Sequence, residues 1–157
     1  MTRERESLLA GRNRADLEPN EILRAVNTVV GLDNTVPVRF EATQRTVFRV
    51  ALDEAGQEYA EIVLGKDVYP GRSIVDPNSG LSMSGACVHE LTHYYRWRDK
   101  RELLERHLEH VDEALTSLEA IVRYYSALEE TDIRGLVADA IQRIELFIDV
   151  VRPKLEP

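Results

Sequence analysis

The stretch His89-Glu90-Leu91-Thr92-His93 decides how the rest of the chain is read. On an α-helix, residues four apart lie on one face, so His89 and His93 can direct their imidazoles at one ion. Glu90 projects beside them, where a carboxylate can take a proton from water held at that ion. The pattern therefore proposes a helix, a metal and a general base together. All four histidines, these two with His107 and His110, lie in this part of the chain.

Length and composition bound what surrounds the motif. A chain of 157 residues is read as a single domain over 1–157. A chain of this size hides roughly 70% of its unfolded surface. Its 43% hydrophobic and 31% charged residues are those of a soluble globular protein. The net charge of −8, without a basic stripe, argues against nucleic acid or an anionic membrane surface as partner. No apolar run is long enough to span a bilayer, and Met1 to Arg14 lacks the apolar core of a signal peptide. The single cysteine, Cys87, cannot form an internal disulfide, so the expected setting is the reducing cytoplasm. Composition does not fix an oligomeric state.

Working outward from the motif, residues 1–16 are polar and predict a flexible N-terminus. A helix is expected from about Pro19 to Gly31, with Ile22, Leu23, Val26, Val29 and Val30 at helical spacing. Three strands follow, at 36–42, 45–52 and 57–64, the last two joined by a hairpin turn at Asp53-Glu54-Ala55-Gly56. They predict a small antiparallel sheet. Gly65 to Met83 is an irregular stretch of the length that often carries function. The motif helix should start at a cap on Ser82 or Ser84 and run to about Trp97. A second helix is expected over 101–128, with Leu104, Leu108, Val111, Leu115, Leu118, Val122 and Tyr125 inward. A third is expected over 132–151, capped by Asp132, ended by Pro153, and with Ile133, Val137, Ala140, Ile141, Ile144, Ile148 and Val151 inward. The fold class is α+β.

A catalytic zinc takes three protein ligands and keeps one position open. His89 and His93 supply two, and Asp99, His107, His110 and Glu113 are the candidates for the third. Asp99 lies ten residues beyond His89 with no glycine to turn the chain back, so on a continuing helix it sits about 15 Å further along the axis. Glu113 lies opposite the Leu104–Leu118 stripe, on a face with Glu109, Thr116, Ser117, Ala120 and Tyr124. Alone that face reads as solvated, but its small residues would admit a neighbouring helix. His107 and His110 read first as helix-surface or partly buried histidines. Cys87 faces away from the ligand side and reads as a small buried hydrophobe, whereas Trp97 shares the His89–His93 face.

His-Glu-Leu-Thr-His, followed 24 residues from its first histidine by Asp112-Glu113-Ala114-Leu115-Thr116-Ser117, resembles the thermolysin-like gluzincin peptidases. The compact order of helix, small sheet, motif helix and ligand helix is similar to that of ImmA/IrrE-type peptidases. The resemblance implies a minimal zincin-like fold, Zn2+ held by His89, His93 and Glu113, and Glu90 as the base in hydrolysis of a peptide or protein substrate. It also implies an acid that orients the first histidine. Ser117 stands at that place, leaving Asp112 or Asp139 to substitute. In the resembled family a histidine and a tyrosine assist the carbonyl, making His107, His110, Tyr69, Tyr124 and Tyr125 candidates here. The strand at 57–64 would pair with an extended substrate. Two rival readings are a zincin-fold binding protein with a structural metal, and a helical interaction module without one.

Overall fold

The computed structural model describes residues 2–6, 16–69 and 81–156. One wholly charged strand, β1 (Arg3–Glu6), and three strands with apolar residues, β2 (Val38–Phe40), β3 (Val47–Leu52) and β4 (Glu58–Leu64), build a sheet. Its order is β1-β3-β4-β2. The β3–β4 hairpin is antiparallel, pairing Val47 with Val63 and Leu52 with Glu58. It turns at Gly56, whose φ of 78° suits a residue without a Cβ. The sheet departs from expectation in two ways. It is mixed rather than antiparallel, because β2 runs parallel to β4. It also has four strands, because part of the N-terminus expected to be flexible pairs with β3 as β1. Ion pairs hold β1 in place, Arg3 to Glu102 at 2.7 Å and Glu4 to Arg49 at 3.0 Å. The rest of the polar N-terminal stretch, 7–15, and the Pro70–Gly80 part of the irregular stretch lie outside the described residues.

Helix α1 (Pro19–Leu32) begins where the sequence indicates, with proline in its first turn and a capping box from Glu18 and Glu21. It buries Ile22, Ala25 and Val29, whereas Leu23 and Val30 face outward. Helix α2 (Met83–Arg98) carries the motif, and its cap is Ser82, whose hydroxyl accepts from the Gly85 N–H at 3.0 Å. Lys100 ends it in the left-handed region at φ 55°, with Arg101 N–H returning to the Arg96 carbonyl and Lys100 N–H to Trp97. Helix α3 (Glu109–Tyr124) and helix α4 (Glu130–Leu146) form a hairpin with a short connection.

Both hairpin helices differ from their expected form. The chain from 101 to 108 is a turn and a short 3-10 segment rather than helix, because Asp112 accepts from the Leu103 N–H and from Arg96 and folds the chain back. Helix α4 starts earlier, capped by Glu129 with Asp132 reciprocating at its third residue, and passes into a π-helical turn over Phe147–Val151. Pro153 lies in a following 3-10 turn instead of stopping the α-helix.

Most of the residues expected inward are turned out, although Ala140 is buried as expected and Leu108, Val111, Ile133 and Val151 are half-buried. Leu104, Leu115, Leu118, Val122 and Tyr125 are exposed, as are Val137, Ile141, Ile144 and Ile148. The buried faces are Asp112, Glu113, Ala114, Thr116, Ser117 and Ala120 on α3, and Asp132, Leu136, Asp139, Ala140 and Arg143 on α4.

Two apolar clusters meet at α2. One packs α1 and the inner sheet face (Ile22, Val29, Phe48, Ile62, Leu64) against Cys87, Leu91 and Tyr95. The other packs Ala86 and Val88 against Ala120 and Leu136. Eleven of the sixteen residues of α2 are therefore buried, His89, Glu90 and His93 among them. Polar groups placed there need partners, because burying them bare costs several kcal/mol each, roughly 2–7. Among the described residues, no helix is long and apolar enough to cross a membrane.

Candidate metal centre

Helical spacing brings His89 and His93 onto one side of α2, with ring centroids 4.8 Å apart and near-perpendicular planes. Phe48 of β3 stacks on His93 at 5.9 Å and fixes that ring from the sheet side. From α3, Glu113 reaches both, its Oε2 lying 3.0 Å from His89 Nε2 and 3.2 Å from His93 Nε2. All three side chains are buried. Glu113 was one of four candidates, and the other three lie elsewhere. Asp99 caps α2 and pairs with Arg98 and Arg123 at 2.9 and 3.1 Å. His107 is exposed in the 3-10 turn, and His110 is half-buried in the first turn of α3.

A hydrogen-bonded relay supports His89 from behind. Its Nδ1 is 2.8 Å from Ser117 Oγ, Ser117 donates to Asp139 Oδ2 at 2.7 Å, and Arg143 Nε donates to the same oxygen at 2.8 Å. Burial works to raise the Asp139 carboxyl, but the Arg143 guanidinium, the His89 charge and these hydrogen bonds outweigh it and hold it below its ordinary value. An ionised Asp139 accepts only, so the Ser117 hydroxyl proton points at it and the Ser117 lone pair receives Nδ1–H of His89. His89 Nε2 is thereby the atom directed at Glu113. Of the two acids named as substitutes for the expected partner of the first histidine, Asp139 reaches it through Ser117. Asp112 instead latches α3 to the end of α2 through Arg96 at 2.8 Å.

Glu113 is fully enclosed. Burial works against its ionisation, but the His93 charge, hydrogen bonds from both histidines and Arg143 hold the carboxyl well below the usual range. Arg143 Nη1 lies 4.0 Å from Glu113 Oε2. Glu113 Oε1 has no hydrogen-bond partner among the described residues. Two imidazole nitrogens and a carboxylate thus converge on one point, where a cation would face all three. Donors about 2.1 Å from a tetrahedral zinc lie roughly 3.4 Å apart, close to the separations found. The donor set and its spacing fit zinc, and the hydrogen bond from His89 Nδ1 to Ser117 is of the kind that orients a ligand imidazole.

Glu90 follows His89 directly and is buried beside the cluster. Cys87 lies on the opposite side of α2, where burial foremost and the Glu90 charge secondarily push its thiol up to about 12. It behaves as the small hydrophobe the sequence suggests.

The proposed carbonyl-assisting tyrosines make other contacts or face solvent. Tyr95 donates to Asp33 at 2.8 Å, so Tyr124 donates to Tyr95, at 2.5 Å. Tyr125 is exposed and Tyr69 packs on the apolar core. Trp97 packs on Tyr94 with centroids 5.4 Å apart. Strand β4, expected to offer an edge, is bounded by β3 along its length and by β2 over Ile62–Leu64. Arg143 carries no sequence signal of its own. Only its place four residues after Asp139, on a helix not expected to face the motif, could have pointed to it. Comparison of the chain with protein-family models, with curated proteins and with solved structures finds no match.

Proposed function

We propose that this protein is a zinc-dependent metallopeptidase with His89, His93 and Glu113 as ligands and Glu90 as general base. The observation that carries the reading is the convergence of these three buried donors, with Glu90 next to the first. When bound, zinc supplies Lewis acidity that acidifies a water and polarises a carbonyl. Ser117 and Asp139 hold His89 in one orientation, and Phe48 holds His93. Glu90 takes a proton from the attacking water as its oxygen adds to the scissile carbonyl carbon. Glu90 then returns that proton to the amide nitrogen as the carbon–nitrogen bond breaks. The substrate class is a peptide or protein segment, and the buried unpaired Cys87 suits a reducing, cytoplasmic setting.

A second reading is favoured by one observation: Glu90 and the three donors are each at most 2% exposed. A closed site of this kind also suits a binding protein whose metal only braces α2 against α3. Replacement of Glu90 by Gln separates the two. If the protein is a peptidase, Glu90→Gln keeps about one zinc per chain and its melting temperature, yet loses cleavage of a peptide library by about 10²-fold or more. Unchanged turnover rejects Glu90 as the base. A wild type that holds zinc and cuts nothing favours the bracing role.

A further inference from the structure

We propose that the outer face of the α3–α4 hairpin is a homodimer interface, in which two copies of the hairpin close into a four-helix bundle. On α3 and its C-cap the exposed apolar residues are Leu115, Leu118, Val122 and Tyr125, separated by three, four and three residues. On α4 and the π-helical turn that follows it, a second row is Val137, Ile141, Ile144 and Ile148, separated by four, three and four, with the exposed Leu146 outside the row. Within the α-helices, Leu115, Leu118 and Val122 and likewise Val137, Ile141 and Ile144 keep heptad spacing, which helices use to interlock with other helices. Exposed singly, such residues are ordinary, but here the two stripes adjoin. Leu118, Val137, Ala140, Ile141 and Ile144 line a shared groove of about 240 Å³ with Glu145 at its side. A groove flanked by two stripes is the hole that a side chain of a facing helix fills.

The extent of the face indicates what covers it. These eight residues leave on the order of 700 Å² accessible, above the 300–600 Å² of the largest apolar patch on a typical monomer and close to the ~800 Å² each partner gives a stable interface. A partner must present matching heptad stripes on two adjacent helices, and a second copy of this chain does so by construction. A two-fold axis then places each hairpin on the other, and the isologous contact closes without leaving an open face. The net charge of −8 disfavours an anionic lipid surface as the alternative. The stripes point away from the His89–His93–Glu113 cluster, so the inference does not depend on the proposed chemistry.

Light scattering or sedimentation equilibrium at micromolar concentration tests it. The wild type is expected at twice 17.9 kDa. The Leu118→Glu, Ile141→Glu double variant is expected at 17.9 kDa with unchanged far-UV circular dichroism. If that variant does not fold, Val122→Glu replaces it, since Val122 is 73% exposed and its substitution leaves the monomer's packing intact. Without any variant, the wild-type melting temperature should rise with protein concentration. A monomeric wild type overturns the proposal, as does a dimer that survives in the folded variants or a melting temperature independent of concentration. A monomer that co-sediments with phosphatidylcholine vesicles assigns the face to lipid and overturns it too.

Discussion

Asp139 shows how much of the centre depends on groups that touch no ion. It receives Ser117 and Arg143 in a buried setting, and through Ser117 it fixes the His89 ring. Asp139→Asn takes from Arg143 its hydrogen-bonded carboxylate and leaves it the Glu113 carboxylate at 4.0 Å, a loss that costs about 3 kcal/mol. The same substitution should weaken zinc binding by about 10- to 100-fold, because the His89 ring loses the group that holds it through Ser117. Its pH dependence follows from linkage. The folded carboxyl titrates below its ordinary value, so its stabilising contribution is complete above that value and is lost as pH falls through the lower folded one. Urea titrations of the ion-free wild type and Asp139→Asn should keep their full difference down to the ordinary carboxylate range and converge only as pH falls below it. A gap that persists unchanged in acid would contradict the relay. His89, His93 and Glu90 were legible because one helix carries them at fixed spacing. Asp139 was legible only as one of two substitutes, and Arg143 not at all, because both reach the site from α4, whose buried face sequence periodicity misassigned.

That misassignment belongs to the scale of elements. Periodicity identifies an apolar face, and on α1 and β4 that face is largely the inner one, with Ile22, Val29, Ile62 and Leu64 fully buried. On α3 the inner face is Asp112, Glu113, Thr116 and Ser117, and the apolar stripe looks outward. Hydrogen bonds and ion pairs to α2 and α4 replace apolar contact there, a trade that residue polarity alone does not announce. The small residues on that face did signal close approach of another helix, and the structure puts Ala120 against Leu136 of α4. Strand β1 was missed because a short charged edge strand has no alternation to read. Close approach also governs the end of β4. A Cβ on Gly65 would meet the Gln44 carbonyl oxygen at 2.2 Å and the Arg45 and Thr46 backbone at 2.5 and 2.6 Å. Backbone cannot yield as a side-chain tip does, and Gly65 N–H also donates to Thr46 Oγ1 at 2.9 Å. Gly65→Ala should therefore destabilise the protein by about 1–3 kcal/mol. A denaturation midpoint equal to that of the wild type would mean that the two segments are not held this tightly.

At the scale of the whole molecule, α2 is the axis on which everything else is arranged. The sheet and α1 cover one side of it and the α3–α4 hairpin the other, so a motif that would be costly to bury becomes a partnered, enclosed centre. An ion there joins α2 to α3 across the two apolar clusters, and because it binds the folded state it should stabilise the whole chain. The relation between the two helices is what sequence spacing could suggest and only three dimensions could supply. The most direct test is anomalous diffraction at the zinc edge from crystals grown with zinc. One strong peak is predicted within about 2.0–2.2 Å of His89 Nε2, His93 Nε2 and a Glu113 carboxylate oxygen. No peak there, or full occupancy at a position that leaves Glu113 uncoordinated, would contradict it.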